Sequence, residues 1–198
     1  MNNFDLHTPT RILFGKGAIE KLREQIPAEA RVLITYGGGS VKKTGVLDQV
    51  LTALNGLDVL EFGGIEPNPS YETLMNAVKL AREEKVTFLL AVGGGSVLDG
   101  TKFIAAAAHY DANIDPWEIL ETYGSKIASA IPMGSVLTLP ATGSESNKGA
   151  VISRKTTGDK RAFMSSHVQP QFAILDPVYT YTLPPRQVAN GVVDAFVH

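Results

Sequence analysis

Along this chain, short apolar runs of strand length alternate with longer stretches in which apolar residues recur three and four positions apart, as expected for strands alternating with amphipathic helices. Residues 31–36 (RVLITY), 58–62, 88–92 (FLLAV) and 136–139 read as strands, and residues 6–14 as extended chain leading to Gly15-Lys16-Gly17. Helical periodicity appears in residues 17–26, with Ile19, Leu22 and Ile26 on one face and Pro27 as the stop. It returns in 41–54, in 71–84, where Leu74, Ala77, Val78 and Ala81 align, and in 101–109. This alternation predicts a parallel sheet covered by helices, with ligand bound at the carboxyl edge of the strands. Residues 111–134 lack a clean period, and Asp115-Pro116-Trp117-Glu118 reads as a helix start whose tryptophan only packs. Residues 149–154 and 172–175 read as further strands with a hairpin turn between them at 156–160, in which Lys160 is a solvated side chain. Residues 184–198 form a proline-opened helix that is still running at the last residue.

Two of the strands end in the same way. Residues 88–92 break into Gly93-Gly94-Gly95-Ser96, and residues 31–36 run into Gly37-Gly38-Gly39-Ser40, each turn leading into a helix. Such glycines are either a flexible turn or a phosphate cradle, in which the backbone approaches a ligand where a Cβ would collide and the helix presents its free N–H groups. The spacing is not that of the G-x-G-x-x-G fingerprint, because Leu98 stands where the last glycine would fall. Asp99, in the first helical turn, would repel a phosphate if it faced the ligand; turned sideways it would accept backbone N–H bonds and stiffen the loop. Asn68, in the Gly- and Pro-rich loop 63–70, is placed to line the crevice, and residues 140–147 (PATGSESN) read as a polar loop or as a third wall.

Composition narrows the chemistry. With 18 Lys and Arg against 20 Asp and Glu the net charge is −2, and the charges are interspersed, so neither nucleic acid nor a membrane surface is favoured. No apolar run approaches the roughly 20 residues of a spanning helix and the N-terminus has no signal architecture, which together predict a cytoplasmic protein. The absence of cysteine removes disulfides, thiol nucleophiles and thiolate zinc sites, so a metal would be held by nitrogen and oxygen. The histidines are His7, His109, His167 and His198. Asp194 and His198 stand four apart on one helical face, with Cβ atoms about 5–6 Å apart, and read either as a surface pair or as two ligands of one cation.

With these residues laid out, the chain resembles the iron-dependent (group III) alcohol dehydrogenases from end to end. The resemblance is carried by Gly93-Gly94-Gly95-Ser96 with Asp99, by residues 138–145 (TLPATGSE), and by Gly191-Val192-Val193-Asp194 with His198. It implies a Rossmann-like α/β dinucleotide-binding domain over residues 1–183, followed at 184–198 by the first helix of an all-helical, metal-binding domain that is otherwise absent, in a protein about twice as long. It further implies a homodimer, and one divalent metal, Zn2+ or Fe2+, held by an aspartate and three histidines, of which Asp194 and His198 match the first two. Gly94, Gly95 and Ser96 would hold the diphosphate; Thr138, Thr142, Ser144, Asn147, Lys160 and Tyr179 would line the rest of the cofactor site. The second turn, residues 37–40, carries no acid before Asp48 and has Lys42 and Lys43 close by, which favours NADP(H) over NAD(H); relatives using NAD tend to place an aspartate where Gly39 stands. The expected reaction of the complete protein is hydride transfer from NADPH to aldehydes, giving primary alcohols with broad specificity. The alternatives are a nucleotide-binding module without catalysis, and a related polyol dehydrogenase or dehydroquinate synthase-like enzyme.

Overall fold

The computed structural model describes residues 8–197, so His7 and the start of the expected extended segment lie outside the described residues, as does His198. Six strands form one sheet: β1 (Arg11–Phe14), β2 (Arg31–Tyr36), β3 (Asp58–Phe62), β4 (Phe88–Gly93), β5 (Met133–Leu137) and, beyond a hairpin of β6 (Gly149–Arg154) and β7 (Asp159–Met164), β8 (Phe172–Leu175). Their order is β1-β8-β5-β4-β2-β3, with every pairing parallel. The central strands are buried on both faces, which is why they read as continuous rather than alternating apolar runs. Successive side chains still diverge. Leu33, Leu89, Ala91 and Met133 pack under α3 (Tyr71–Glu83) and α4 (Gly95–His109), while Ile34, Leu90, Val92 and Val136 pack on the opposite face with Val46 and Val50 of α2 (Val46–Ala53).

Four expected elements differ in detail. The single helix expected over 41–54 is split into α1 (Ser40–Lys43) and α2, because Gly45 takes φ 74 between them. Residues 17–26 form two 3-10 turns, Ala18–Lys21 and Arg23–Gln25, although Ile19, Leu22 and Ile26 are buried as their spacing predicts. The fifth strand begins at Met133 rather than Val136 and releases the chain after Leu137. The hairpin partner of β6 is β7 rather than β8, so Lys160 lies on a strand and not in a turn. The segment before β5 contains only the short α5 (Glu118–Glu121), and Trp117 at its start is 3% exposed, edge-on to Tyr71.

The last helix, α6 (Pro185–Val197), starts at Pro185 and has Gly191 as its buried residue; a Cβ there would stand 2.8 Å from the Pro140 carbonyl oxygen. The opposite side carries exposed Val192, Val193 and Phe196.

Packing across the sheet is tightest at Gly134, where a Cβ would lie 2.2 Å from Cζ of Phe172, whose ring is itself stacked on Phe88 at 6.0 Å. Gly134→Ala is expected to destabilise the fold by about 1–3 kcal/mol, which corresponds to a melting temperature roughly 2–12 °C lower. An unchanged Tm in thermal unfolding contradicts this packing.

Candidate functional site

The chain leaves β2 toward β3 on one side and returns to place β4 on the other, so the connections diverge at the boundary between β2 and β4, the place where open α/β sheets form a crevice. Both glycine turns open there. In the turn after β4 the glycines permit close approach: a Cβ on Gly93 would lie 2.6 Å from Val97 Cγ2, one on Gly95 2.8 Å from Thr142 Oγ1, and one on Gly94 3.3 Å from Leu139 Cβ. In the turn after β2 a Cβ on Gly37 would stand 3.7 Å from the same Val97 methyl, whereas Gly38 and Gly39 face open space, with Gly39 at φ +101. α4 starts at Gly95, and Gly94 before it offers no side-chain cap, which leaves the first N–H groups of the helix open to an anion.

An acid does approach the second turn, but from a neighbouring strand. Glu61 of β3 accepts the Tyr36 hydroxyl at 3.0 Å and lies 3.6 Å from Lys42 Nζ, which also sits 4.9 Å from the centroid of the Tyr36 ring. The carboxylate is therefore already engaged.

Three of the expected cofactor residues meet directly. Asn68, held at φ 56, donates its N–H to Ser96 Oγ at 3.3 Å, and its Oδ1 accepts from Lys160 Nζ at 2.8 Å. Lys160 reaches the crevice because the tip of its hairpin is anchored on α3. Glu72 accepts the N–H groups of Lys155 and Thr156 at 3.2 and 3.1 Å, and Glu66 accepts from Lys155 Nζ, Thr73 Oγ1 and Ser70 Oγ at 2.6, 2.7 and 2.9 Å. Burial pushes the Glu66 carboxyl up, but the Lys155 ammonium and the two hydroxyls outweigh it and hold the group at about 2. Behind the hairpin, Arg154 lies over Tyr71 and Trp117 and pairs with Asp115 at 3.1 Å.

The third wall is bound to α4. Asp99 is turned sideways: it accepts Ser144 Oγ at 2.6 Å and the Val151 N–H at 3.0 Å, and burial raises its pKa. Thr138 N–H bonds the Gly93 carbonyl at 3.0 Å, and Ser144 N–H bonds Thr142 Oγ1 at 3.3 Å. Beneath them Lys102, fully buried, donates to Ser144 Oγ, Asn147 Oδ1 and the Gly149 carbonyl at 2.9, 2.9 and 2.8 Å. The wall borders a hollow of about 640 Å³ lined by Asp99, Thr142, Ser144, Asn147 and Gly149 among others. Lys102, Glu66 and Glu72 escaped the sequence reading; the one available signal was a lysine within the otherwise apolar helical run TKFIAAAA.

Tyr179 stands apart from the other expected cofactor residues. Tyr179 is 7% exposed in the core beside α2 and its hydroxyl donates to Gln49 Oε1 at 3.1 Å. Asp194 is half-buried on α6, while its expected co-ligand His198 lies outside the described residues. Among the described residues no three His, Asp or Glu side chains gather into a metal cluster. Asp194 supplies a hard oxygen donor of the kind a divalent ion takes, four positions before a histidine in the sequence, so the chain fits such an ion as a contributor of ligands.

Glycine turns at a sheet switch point, with an uncapped helix behind one of them, define a Rossmann-like parallel α/β domain. Residues 9–177 match the family model for iron-containing alcohol dehydrogenase, and the chain belongs to that family. It is similar to NADPH-dependent aldehyde reductase YqhD of Escherichia coli (strain K12), with 86% identity over 198 residues, covering 100% of this chain and 51% of that protein. It is 46% identical over 202 residues to NADP-dependent alcohol dehydrogenase 3 of Entamoeba histolytica, covering 100% and 52%. Among solved structures, E. coli K-12 YqhD superposes with a TM-score of 0.97 at 86% identity, and NADH-dependent butanol dehydrogenase A from Thermotoga maritima with 0.94 at 42%; each comparison covers 100% of this chain and 50% of the other. The chain spans about half the length of the curated relatives it matches.

The hairpin anchor carries a pH signature. Because Glu66 titrates at about 2 against an ordinary 4.5, its ionised form contributes stability that is complete above 4.5 and is lost as pH falls through 2. Glu66→Gln should lower Tm at pH 7, with the gap to the parent narrowing below pH 4.5. A gap independent of pH contradicts the anchor.

Proposed function

We propose that the complete protein containing this chain is a metal-dependent oxidoreductase that transfers hydride from NADPH to a broad range of aldehydes, giving primary alcohols. The observation that carries the reading is the pair of glycine turns at the β2/β4 boundary, one able to lie against a diphosphate and the other open at Gly38 and Gly39, with Lys42 at its side. Gly94, Gly95 and Ser96 hold the diphosphate on the N-terminus of α4. The open turn, with Gly37, Gly38, Gly39 and Ser40, takes the adenosine ribose and its 2′-phosphate, where Lys42 offers a positive charge and Glu61 is occupied by Tyr36 and Lys42. Asn68 and Lys160 close one side of the crevice, and Thr138, Thr142, Ser144 and Asn147 the other, against the second ribose and the nicotinamide. Tyr179 acts from beneath, by packing.

When bound, NADPH supplies the hydride, and a divalent metal, Zn2+ or Fe2+, supplies Lewis acidity toward the carbonyl oxygen. Asp194 and His198 are the residues of this chain that would hold the metal, with further ligands from outside it. Among the described residues no helix is long and apolar enough to cross a membrane. The protein works as a homodimer in the cytoplasm on small diffusible substrates.

Assaying NADPH oxidation by the complete protein with butanal, before and after metal removal by a chelator, tests the reading. Turnover that is lost on chelation and restored by Zn2+ or Fe2+ supports it, and turnover indifferent to metal contradicts it. Cofactor choice is tested at Gly39, where φ +101 strains any side chain, so the charge must be separated from the strain. Gly39→Asn serves as the strained, neutral control for Gly39→Asp. The Asp variant should show an NADPH-to-NADH ratio of kcat/KM at least about tenfold below that of the Asn variant, the size of an ordinary charge effect on specificity. Equal ratios would place the 2′-phosphate elsewhere.

A further inference from the structure

Among the described residues Lys102 is the one charged side chain with no exposure at all, and the chemistry proposed above does not use it. Its ammonium has three N–H donors and meets three acceptors, Ser144 Oγ, Asn147 Oδ1 and the Gly149 carbonyl, spread over the second half of the loop that follows β5 and the first residue of β6. The same loop carries Thr142, whose hydroxyl stands 2.8 Å from where a Cβ on Gly95 would be. The loop and the phosphate turn are thus in contact, and moving one changes the depth of the cradle at the other. Asp99, three residues before Lys102 on α4, holds Ser144 from the other side through its hydroxyl.

We propose that Lys102 is a positioning residue for the dinucleotide: by filling three acceptors at once, its buried ammonium fixes the 142–149 loop at the height where Thr142 closes against the Gly95 turn. This rests on the reading of the crevice as the NADP(H) site. A neutral amine has only two N–H hydrogens for the same three acceptors, so the brace depends on the charged form. Burial brings the Lys102 ammonium down to about 8, opposed by Asp99 on its own helix and by Glu145 from the loop; Lys160, from β7, acts on Asp99. The consequences for stability and for binding have opposite signs. An unfolded lysine keeps its proton to about 10.5, so between pH 8 and 10.5 the native state releases the proton first and the stability attributable to this group rises. Over the same interval the loop loses part of its brace and the affinity for NADPH falls. A lysine that served only as scaffold would move stability alone.

The test is a fluorescence titration of the complete protein with NADPH from pH 7 to 9.5, a window well above the 2′-phosphate ionisation near about 6. For the parent, Kd should rise about fivefold across the window, the effect of losing one buried hydrogen bond. Lys102→Met should bind NADPH at least about tenfold more weakly at pH 7, with a Kd that no longer varies with pH. A Lys102→Met protein that keeps the parent's Kd and pH profile, whatever its Tm, overturns the proposal. Should that variant fail to fold, the parent decides: a constant Kd from pH 7 to 9.5 overturns it equally. A parent that binds no NADPH at any pH overturns the reading of the crevice itself, a different failure from a parent that binds with a flat profile.

Discussion

At the carboxyl ends of β2, β4 and β5 three chain segments converge within van der Waals contact, and the rest of the structure is arranged to hold them there. Cβ atoms at Gly93 and Gly95 would come within 2.6 and 2.8 Å of Val97 and Thr142, distances at which something must shift. Only bare backbone fits, and bare backbone has N–H groups without side chains to shield them. The sheet supplies the rigid edge for this crowding: β4 is buried along its whole length and paired on both sides. A ligand that fills the crevice completes the polar pairing of α4, whose N-terminus no side chain caps.

Polar groups of the fold divide by how they are held. Surface pairs such as Lys79 with Glu83 are largely solvated and contribute little to the fold. The inner network of Asp99, Ser144, Lys102, Asn147 and the Gly149 carbonyl is different, because burial makes each unfilled donor or acceptor costly and so narrows the loop to few shapes. The hairpin of β6 and β7 repeats the device at longer range. Glu66 and Glu72 fix its tip on α3, Arg154 wedges over Tyr71 and Trp117, and the result is delivered to Asn68 as the ammonium of Lys160.

Much of this was legible before any coordinates, for physical reasons that can be named. The parallel sheet followed from continuous apolar runs alternating with helical periods, and both glycine turns stood out as three glycines in a row, which the structure uses for close approach after β4 and, at Gly39, for a positive φ. Asp99 was readable as a sideways cap because a carboxylate facing the anion would repel it, and the structure gives it Val151 and Ser144. Local pattern failed where the partner is distant in sequence. Lys160 read as a turn residue because the pairing of 159–164 with 149–154 depends on register, not on composition. Lys102 was invisible because its acceptors lie more than forty positions away, between 42 and 47 residues along the chain. Glu61 came as a surprise for the same reason: strand adjacency brings it to Lys42, and no spacing rule could. Gly45 was in plain view within a helical period, yet apolar periodicity on both sides hid the break it makes.

The central claim is that a dinucleotide lies across the β2/β4 boundary with its diphosphate on the N-terminus of α4. A crystal structure of the complete protein with NADP+ tests this most directly. The account predicts diphosphate oxygens at about 3 Å from the N–H groups of Gly95 and Ser96, and the 2′-phosphate beside the open turn at Gly38 and Gly39, within reach of Lys42. A dinucleotide lodged instead in the apolar hollow lined by Phe14, Leu137, Pro140 and Leu175, with both glycine turns empty, would contradict it.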